Sequence, residues 1–412
     1  MEVLVDRAAG LDVHKDTVTA CVRIPKPAGG RDQQVREFRT FTHDLRRLRL
    51  WLSEQRVTHV AMEATGVYWR PVWHILEDLP GVELLLVNAH HVKNVPGRKT
   101  DVSDAAWLAQ LLERGLLRGS FVPPPVIARL RDLTRYRKKL VEARASETQR
   151  IQKLLEDAGI KLDSVVSDVL GKSAREMLDA LIAGVRDPAK LAGMARTRMR
   201  PKIPELRLAL EGRFSEHHAL MLEMHLAHVD HLTASIGRID DQVDEVMSPF
   251  GDEAQRLQTI PGVGKRTAEV IVAEIGVDMG QFPSAAHLAS WAGMCPGNNE
   301  SAGKHKSGRT RNGSKWLRKG LTEAAQAAAR TKDTYVRVRH ARIRARRGPS
   351  KATGATRHHI LVAAYHILSE EVPYQELGLD HFERRHSDEQ RTKRLVRQLE
   401  QLGHNVVLEP AA

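Results

Sequence analysis

Cysteine is almost missing from these 412 residues: only Cys21 and Cys295 occur, far apart and in no Cys-x-x-Cys pair. That excludes a disulfide framework and a cysteine zinc site, and leaves two plain thiols suited to a reducing compartment. Aromatic residues make up only 4%, which fits long charged helices better than a sandwich of packed sheets. No apolar run approaches the ~20 residues of a membrane span, and the N-terminus lacks a basic-then-apolar signal pattern. The expectation is a soluble cytoplasmic protein with no membrane partner.

Positive charge, by contrast, is plentiful. The net charge of +13 and pI near 9.8 point to a polyanionic partner. The length suggests about two or three domains of ordinary size.

The first hundred residues carry four carboxylates in suggestive places. VLVDRAAGLDVHKDTVTACVRIP reads as one strand around Leu11 to Ile24, with Asp12 inside it. A second strand is expected over Arg36 to Thr42, then a helix over His43 to Gln55 with Leu45, Leu48 and Leu52 on one face. Glu63 ends the apolar run VTHVAME, where a strand-end carboxylate would face the crevice of an open α/β sheet. Another strand, Val82 to Val87, leads through NAHHVKNVPGRKT to a helix capped by Thr100 or Asp101, with Asp101 and Asp104 three apart in its first turn. Singly, these acids read as edge, cap or strand-end residues; as a set they could hold two Mg²⁺ ions about 4 Å apart. Acids gathered so closely repel one another unless a cation lies between them.

FVPPP at Phe121–Pro125 is a stiff linker, followed by a long basic helix over Ile127 to Ala158. Several short helical pieces occupy 159–204. From Leu222 the stripe Leu226, Val229, Leu232, Ile236, Ile239, Val243 and Val246 has coiled-coil spacing. It fits either a helix partner within the chain or, as the functional reading, a seam between two copies. His217 and His218 read as solvated.

LQTIPGVGKRTAEVIVAEIG, over Leu257 to Gly276, is a helix-hairpin-helix pattern with Lys265 and Arg266 opening its second helix. Its glycines would let backbone N–H groups approach a phosphate. A helix over Phe282 to Trp291 precedes NESAGKHKSGRTRNGSKWLRKGL, a loop that mixes glycines, hydroxyls and cations and suits phosphate binding. Ser301 there could be a phosphate ligand or a nucleophile, with Ser307 and Ser314 behind it. The arginine run Arg337, Arg339, Arg342, Arg344, Arg346 and Arg347 reads as a phosphate-backbone contact before a final apolar helix. A charged helix over Asp388 to Leu402 closes the chain.

The acids in GLDVHK, MEATG and RKTDVSDA, with NVPGRKTDVSDAAWLAQLL around the last pair, resemble the DEDD transposases of bacterial insertion sequences, the one-ten family. The resemblance implies an α/β RNase H-like (RuvC-like) domain over 1–122 and a helical coiled-coil and oligomerisation region over 126–250. It also implies a mostly α transposase domain over 251–372, here with a charged tail over 373–412. It places the Mg²⁺ ligands on Asp12, Glu63, Asp101 and Asp104 and the family's catalytic serine on Ser301 in ESAGK. Many members have a pair of hydroxyls where this chain has Glu300 and a single serine. His14, Lys15, Asp16, His90 and His91 also resemble family positions, and read as DNA-facing or supporting residues. Asp6 and Asp16 are spare acids.

The resemblance implies excision of a mobile element as a circle and its insertion elsewhere, guided by a structured RNA that pairs with donor and target DNA. It also implies a homodimer or tetramer, association with the bacterial nucleoid during function, and acids that work with a serine from the other domain. Lys99, Lys265, Arg266, Lys304, Lys306, Arg309, Arg311 and Lys315 are the candidate nucleic-acid contacts. Two alternatives are a junction-resolving nuclease of the same fold in which water attacks, and a nucleic-acid-binding protein without activity.

Overall fold

The computed structural model describes residues 3–27, 29–64, 66–88, 92, 103–295, 299–301, 304–307, 310, 312–384 and 388–408. They fall into two compact units, Met1–Val122 and Pro123–Ala412. Among the described residues no helix is long and apolar enough to cross a membrane.

The first unit begins with β1 (Ala8–Val13) and β2 (Thr17–Pro25), a hairpin where one continuous strand from Leu11 to Ile24 is expected. The chain reverses at His14, Lys15 and Asp16, which offer no apolar face, and the His14 N–H donates to the Thr17 carbonyl at 2.9 Å. β3 (Arg31–Arg39), α1 (Thr42–Glu54), β4 (His59–Glu63), α2 (Trp69–Leu76), β5 (Glu83–Val87) and α3 (Asp104–Glu113) follow. The sheet order is β3-β2-β1-β4-β5. β1, β2 and β3 are antiparallel, whereas β4 runs parallel to both β1 and β5. An antiparallel meander continued by parallel strands is the RNase H-like layout.

The sheet has a different cover on each face. Ala9, Leu11 and Val13 pack with Leu45, Leu48 and Leu52 of α1 and with Val72 and Leu76 of α2. Ala8 and Gly10 face the other way, as strand alternation requires, and meet α3. A Cβ on Gly10 would lie 2.2 Å from the Ala105 carbonyl oxygen and 2.5 Å from the Ala109 nitrogen, so only glycine admits the helix backbone this close. Ala105 and Ala106 pack on Cys21, the register partner of Gly10, and Leu112 packs on Ala8 and Ala61. α3 therefore runs antiparallel to β1, with its first turn at the carboxyl ends of β1 and β4. At its other end the buried Glu113 receives Arg23 Nε at 2.7 Å, and Arg31 Nη2 lies 3.2 Å away.

The second unit is largely helical. α4 (Pro125–Asp157) opens with proline, which suits a first turn that lacks an N–H acceptor. α5 (Leu162–Val165), α6 (Lys172–Ile182), α7 (Pro188–Gly193) and α8 (Ile203–Ala209) then lead to α9 (Glu216–Met247). α4 and α9 pair along their length. One end joins the short helices through Ile151, Leu155, Leu222 and Leu226, the middle joins Leu140 to Leu232 and Ile236, and the other end carries Ile127, Leu130, Val243 and Val246 into the C-terminal core. The α9 stripe is thus buried against α4 within one chain, the first of the two partners its spacing allows. His218 is likewise not solvated; its ring closes a capping box with Ser215 and lies 3.1 Å from Asp157 Oδ2.

The C-terminal part contains α10 (Gly251–Gln258), α11 (Lys265–Ile275), α12 (Ala285–Trp291), β6 (Asn299–Ser301), β7 (Lys304–Ser307), α13 (Lys315–Ala328), α14 (Tyr335–Arg347) and α15 (Pro349–Glu370). Between α10 and α11 the turn at Gly262 takes φ +86°, and a Cβ there would lie 2.3 Å from the Ala324 carbonyl oxygen of α13. The basic stretch read as a loop includes an antiparallel pair, β6 with β7, and the start of α13.

Candidate functional site

Three of the four expected acids lie at the same end of the sheet. Leu11 of β1 is in register with Met62 of β4, so one step further Asp12 and Glu63 are neighbours at the carboxyl ends of parallel strands. Asp12 shares its face with Ala8 and Gly10, and Glu63 shares its face with Ala61; both faces are covered by α3. Asp104 is the first residue of α3 at that same end. The helix cap is Ser103, whose Oγ accepts from the Ala106 N–H at 3.3 Å, and not Thr100 or Asp101 as expected. A serine immediately before the first helical residue satisfies a first-turn N–H that a more distant residue cannot reach.

His14 Nε2 lies 3.2 Å from Asp12 Oδ2. Of the spare acids, Asp16 lies in the β1–β2 turn beside this end, while Asp6 precedes β1 at the opposite end and approaches Arg31 at 4.0 Å. Asp101, Lys99, His90 and His91 lie outside the described residues. Among the described residues no group of three or more His, Cys, Asp or Glu has the spacing of a metal cage. The donor set is nonetheless all carboxylate oxygen, the hard ligand type that Mg²⁺ takes, and it fits that ion by chemistry.

The serine candidates separate by backbone position. Ser301 ends β6 in register with Lys304, and Ser307 ends β7 opposite Asn299. Lys306 also lies in β7, whereas Arg309 and Arg311 lie outside the described residues. Ser314, the third candidate, has a structural task. It caps α13 by accepting from the Leu317 N–H at 3.2 Å, and it donates to Glu274 Oε2 at 2.8 Å. Just before it, a Cβ on Gly313 would lie 2.2 Å from the Ala292 carbonyl oxygen, so the chain is pinned where the basic stretch enters α13.

Lys315 is exposed, and its Nζ sits 5.1 Å from the centroid of the Trp316 ring. Lys319 Nζ and Arg135 Cζ stand 5.8 and 6.0 Å from that same ring. Sequence reasoning passed over Trp316; the signal was a tryptophan in a row of cations, Ser-Lys-Trp-Leu-Arg-Lys.

The two cations that open α11, Lys265 and Arg266, are engaged with carboxylates. Lys265 Nζ is 2.7 Å from Asp244 Oδ1, and Arg266 Nη2 is 2.8 Å from Asp240 Oδ2. Arg266 also reaches Glu269, whose carboxyl burial pushes up in pKa against the pull of that arginine. Partly exposed pairs such as Lys265–Asp244 are worth about 1 kcal/mol or less, which a phosphate can exchange.

Comparison with known proteins matches both ends of the chain. A family model described as "Transposase", of the IS110 DEDD type, covers residues 9–160, and one described as "Transposase IS116/IS110/IS902 family" covers 254–341. The transposase for insertion sequence element IS1111A of Coxiella burnetii (strain RSA 493 / Nine Mile phase I) is 26% identical over 283 residues, 68% of each chain. The pilin gene-inverting protein of Moraxella bovis is 37% identical over 76 residues, 18% of this chain and 23% of that protein. The insertion element IS110 uncharacterized 43.6 kDa protein of Streptomyces coelicolor is 38% identical over 91 residues, 22% of each. A solved structure, Thermus thermophilus RuvC, matches 28% of this chain and 99% of its own at 14% identity, with a TM-score of 0.22. The two family models together span more than half of the chain and include Asp12, Glu63, Asp104 and Ser301, and the chain belongs to the IS110/IS116/IS902 family of transposases.

Proposed function

We propose that this transposase joins and breaks DNA through a serine nucleophile, Ser301, and a Mg²⁺ site formed by Asp12, Glu63, Asp101 and Asp104. The observation that carries the reading is the placement of Asp12, Glu63 and the first residue of α3 at the carboxyl ends of β1 and β4. Bound there, Mg²⁺ supplies Lewis-acid stabilisation of the negative charge that develops on the scissile phosphate.

The protein's own groups do the rest. The carboxylates hold the site's charge balance and exclude a fifth anion unless a cation is present. Ser301 Oγ forms a bond to phosphorus as the bond from phosphorus to the leaving strand oxygen breaks. The serine proton passes to a base or solvent, and the leaving oxygen takes up a proton. The phosphoserine conserves the phosphodiester energy, so a strand hydroxyl can reverse the step and release the serine. Lys304, Lys306 and Arg309 neutralise the phosphate during both steps. A structured RNA directs the choice of DNA and the working unit is a homodimer or tetramer, readings supported by the family resemblance.

The test is a denaturing-gel assay for a covalent protein–DNA adduct on a duplex carrying an element end. The adduct is expected with wild type and Ser307→Ala in Mg²⁺, and not with Ser301→Ala or Asp12→Ala. Strand cleavage by Ser301→Ala at the wild-type rate would identify water as the nucleophile and overturn the serine. Full activity of Asp12→Ala without metal would overturn the acidic site.

A further inference from the structure

Several cations on the long helices of the second unit are held by acids. Arg135 grips Glu274, Arg137 grips Asp240, Lys138 meets Glu323, Arg175 meets Asp230, and Lys319 meets Glu142. The hairpin of α14 and α15 breaks this pattern. From Arg330 to Leu368 the chain has ten Lys or Arg and a single acid, Asp333. Among the described residues no ion pair engages Arg330, Arg337, Arg344, Arg346 or Arg347. Uncompensated charge at this density raises the energy of the folded chain unless an anion settles on it.

The free cations also share a shaped surface. Arg330 follows α13, and Arg337 and Arg344 stand seven residues apart, two turns along one face of α14. Together with Gln326, Thr353 and His340 they line a groove of about 330 Å³ between these helices. His340 forms its floor, buried and fixed by a 3.0 Å hydrogen bond between Nδ1 and Thr356 Oγ1. Burial, and then the nearby Arg344, lower its pKa, which keeps the floor neutral and leaves the charge to the rim.

We propose that this groove, whose lining includes neither the acids nor Ser301, seats the phosphate backbone of duplex DNA. The occupant is argued from charge complementarity and from the DNA-acting family of the chain. The fixed spacing of Arg337 and Arg344 gives two anchor points to one strand, without reading bases. The proposal rests on the chain acting on DNA and needs neither the metal site nor the serine.

The experiment measures full-length protein binding to a random-sequence DNA duplex by fluorescence anisotropy, in EDTA so that no cleavage intervenes, across ~0.05 to ~0.2 M salt. Arg337→Ala/Arg344→Ala should lower the slope of log affinity against log salt by about 1.8 and weaken binding roughly 30-fold at ~0.15 M salt. Arg175→Ala, whose cation is already paired, serves as a control and should keep the wild-type slope. Unchanged slope and affinity in a double variant with a wild-type melting curve would overturn the proposal. Loss confined to a structured RNA probe, with duplex DNA binding intact, would overturn it as well. Because the assay runs without metal, its failure is distinct from loss of the Ser301 adduct.

Discussion

Ser314 and Glu274 are joined by a 2.8 Å hydrogen bond between the cap of α13 and the end of α11. Glu274 is only 1% exposed, and Arg135 of α4 holds both its oxygens at 2.8 and 2.9 Å. Three segments distant in sequence are thereby tied at one carboxylate, directly after the basic stretch that carries Ser301. Ser314→Ala should cost about 1–2 kcal/mol in urea unfolding, from the lost cap and a weakened buried network. Its DNA adduct should persist. Loss of the adduct in a folded Ser314→Ala protein would instead move the nucleophile to Ser314.

Gly10→Ala tests the packing that places Asp104. The added methyl would meet the Ala105 carbonyl oxygen and Ala109 nitrogen, both helix backbone, so α3 must shift. Overpacking of this kind costs roughly 1–3 kcal/mol or more. Adduct formation should fall more than DNA binding does, because Asp104 rides on the displaced helix. Equal activity at saturating Mg²⁺ would show that the site tolerates movement of α3.

Periodicity made α1, α4 and α9 legible, since each buries a stripe of leucine, isoleucine or valine at helical spacing. It could not say what covers the stripe. For α9 the cover is α4, which lies roughly a hundred residues earlier in the chain at the Arg137–Asp240 pair. The acids Asp12 and Glu63 were legible because a carboxylate at a strand end interrupts an apolar pattern. The β1–β2 reversal was missed because His14, Lys15 and Asp16 contain neither glycine nor proline. Lys265 illustrates a further limit: its charge is visible in sequence, but its partner Asp244 is a matter of how α9 and α11 pack.

Glu113 offers a test of how the far end of α3 is anchored. Its side chain is 4% exposed and is shared by Arg23 and Arg31. Glu113→Ala leaves two largely covered guanidinium groups without their carboxylate, which should destabilise the protein by about 3 kcal/mol. Glu113→Gln should recover part of this through the amide oxygen. Urea midpoints of the two variants decide it, and equal stability of Glu113→Ala and wild type would mean that solvent already satisfies both arginines.

His359 makes acid stability a reading of the C-terminal core. Burial, followed by Arg339 and His358, holds its pKa down at about 4. Its ring lies against Tyr335 and Tyr374, with Nε2 3.4 Å from the Tyr374 hydroxyl. The unfolded chain, with an ordinary value near 6.5, takes up a proton before the folded chain does. Stability from the neutral ring is therefore complete above about pH 6.5 and declines as pH falls toward 4, by up to about 3 kcal/mol. His340 and His358 are shifted in the same direction and add to the slope. Urea unfolding across that window should give a shallower pH dependence for His359→Gln than for wild type, with the two curves parallel above pH 7. An unchanged slope in His359→Gln would place the acid sensitivity on other groups, the carboxylates of the buried ion pairs foremost, because their protonation removes stability in the same direction as pH falls.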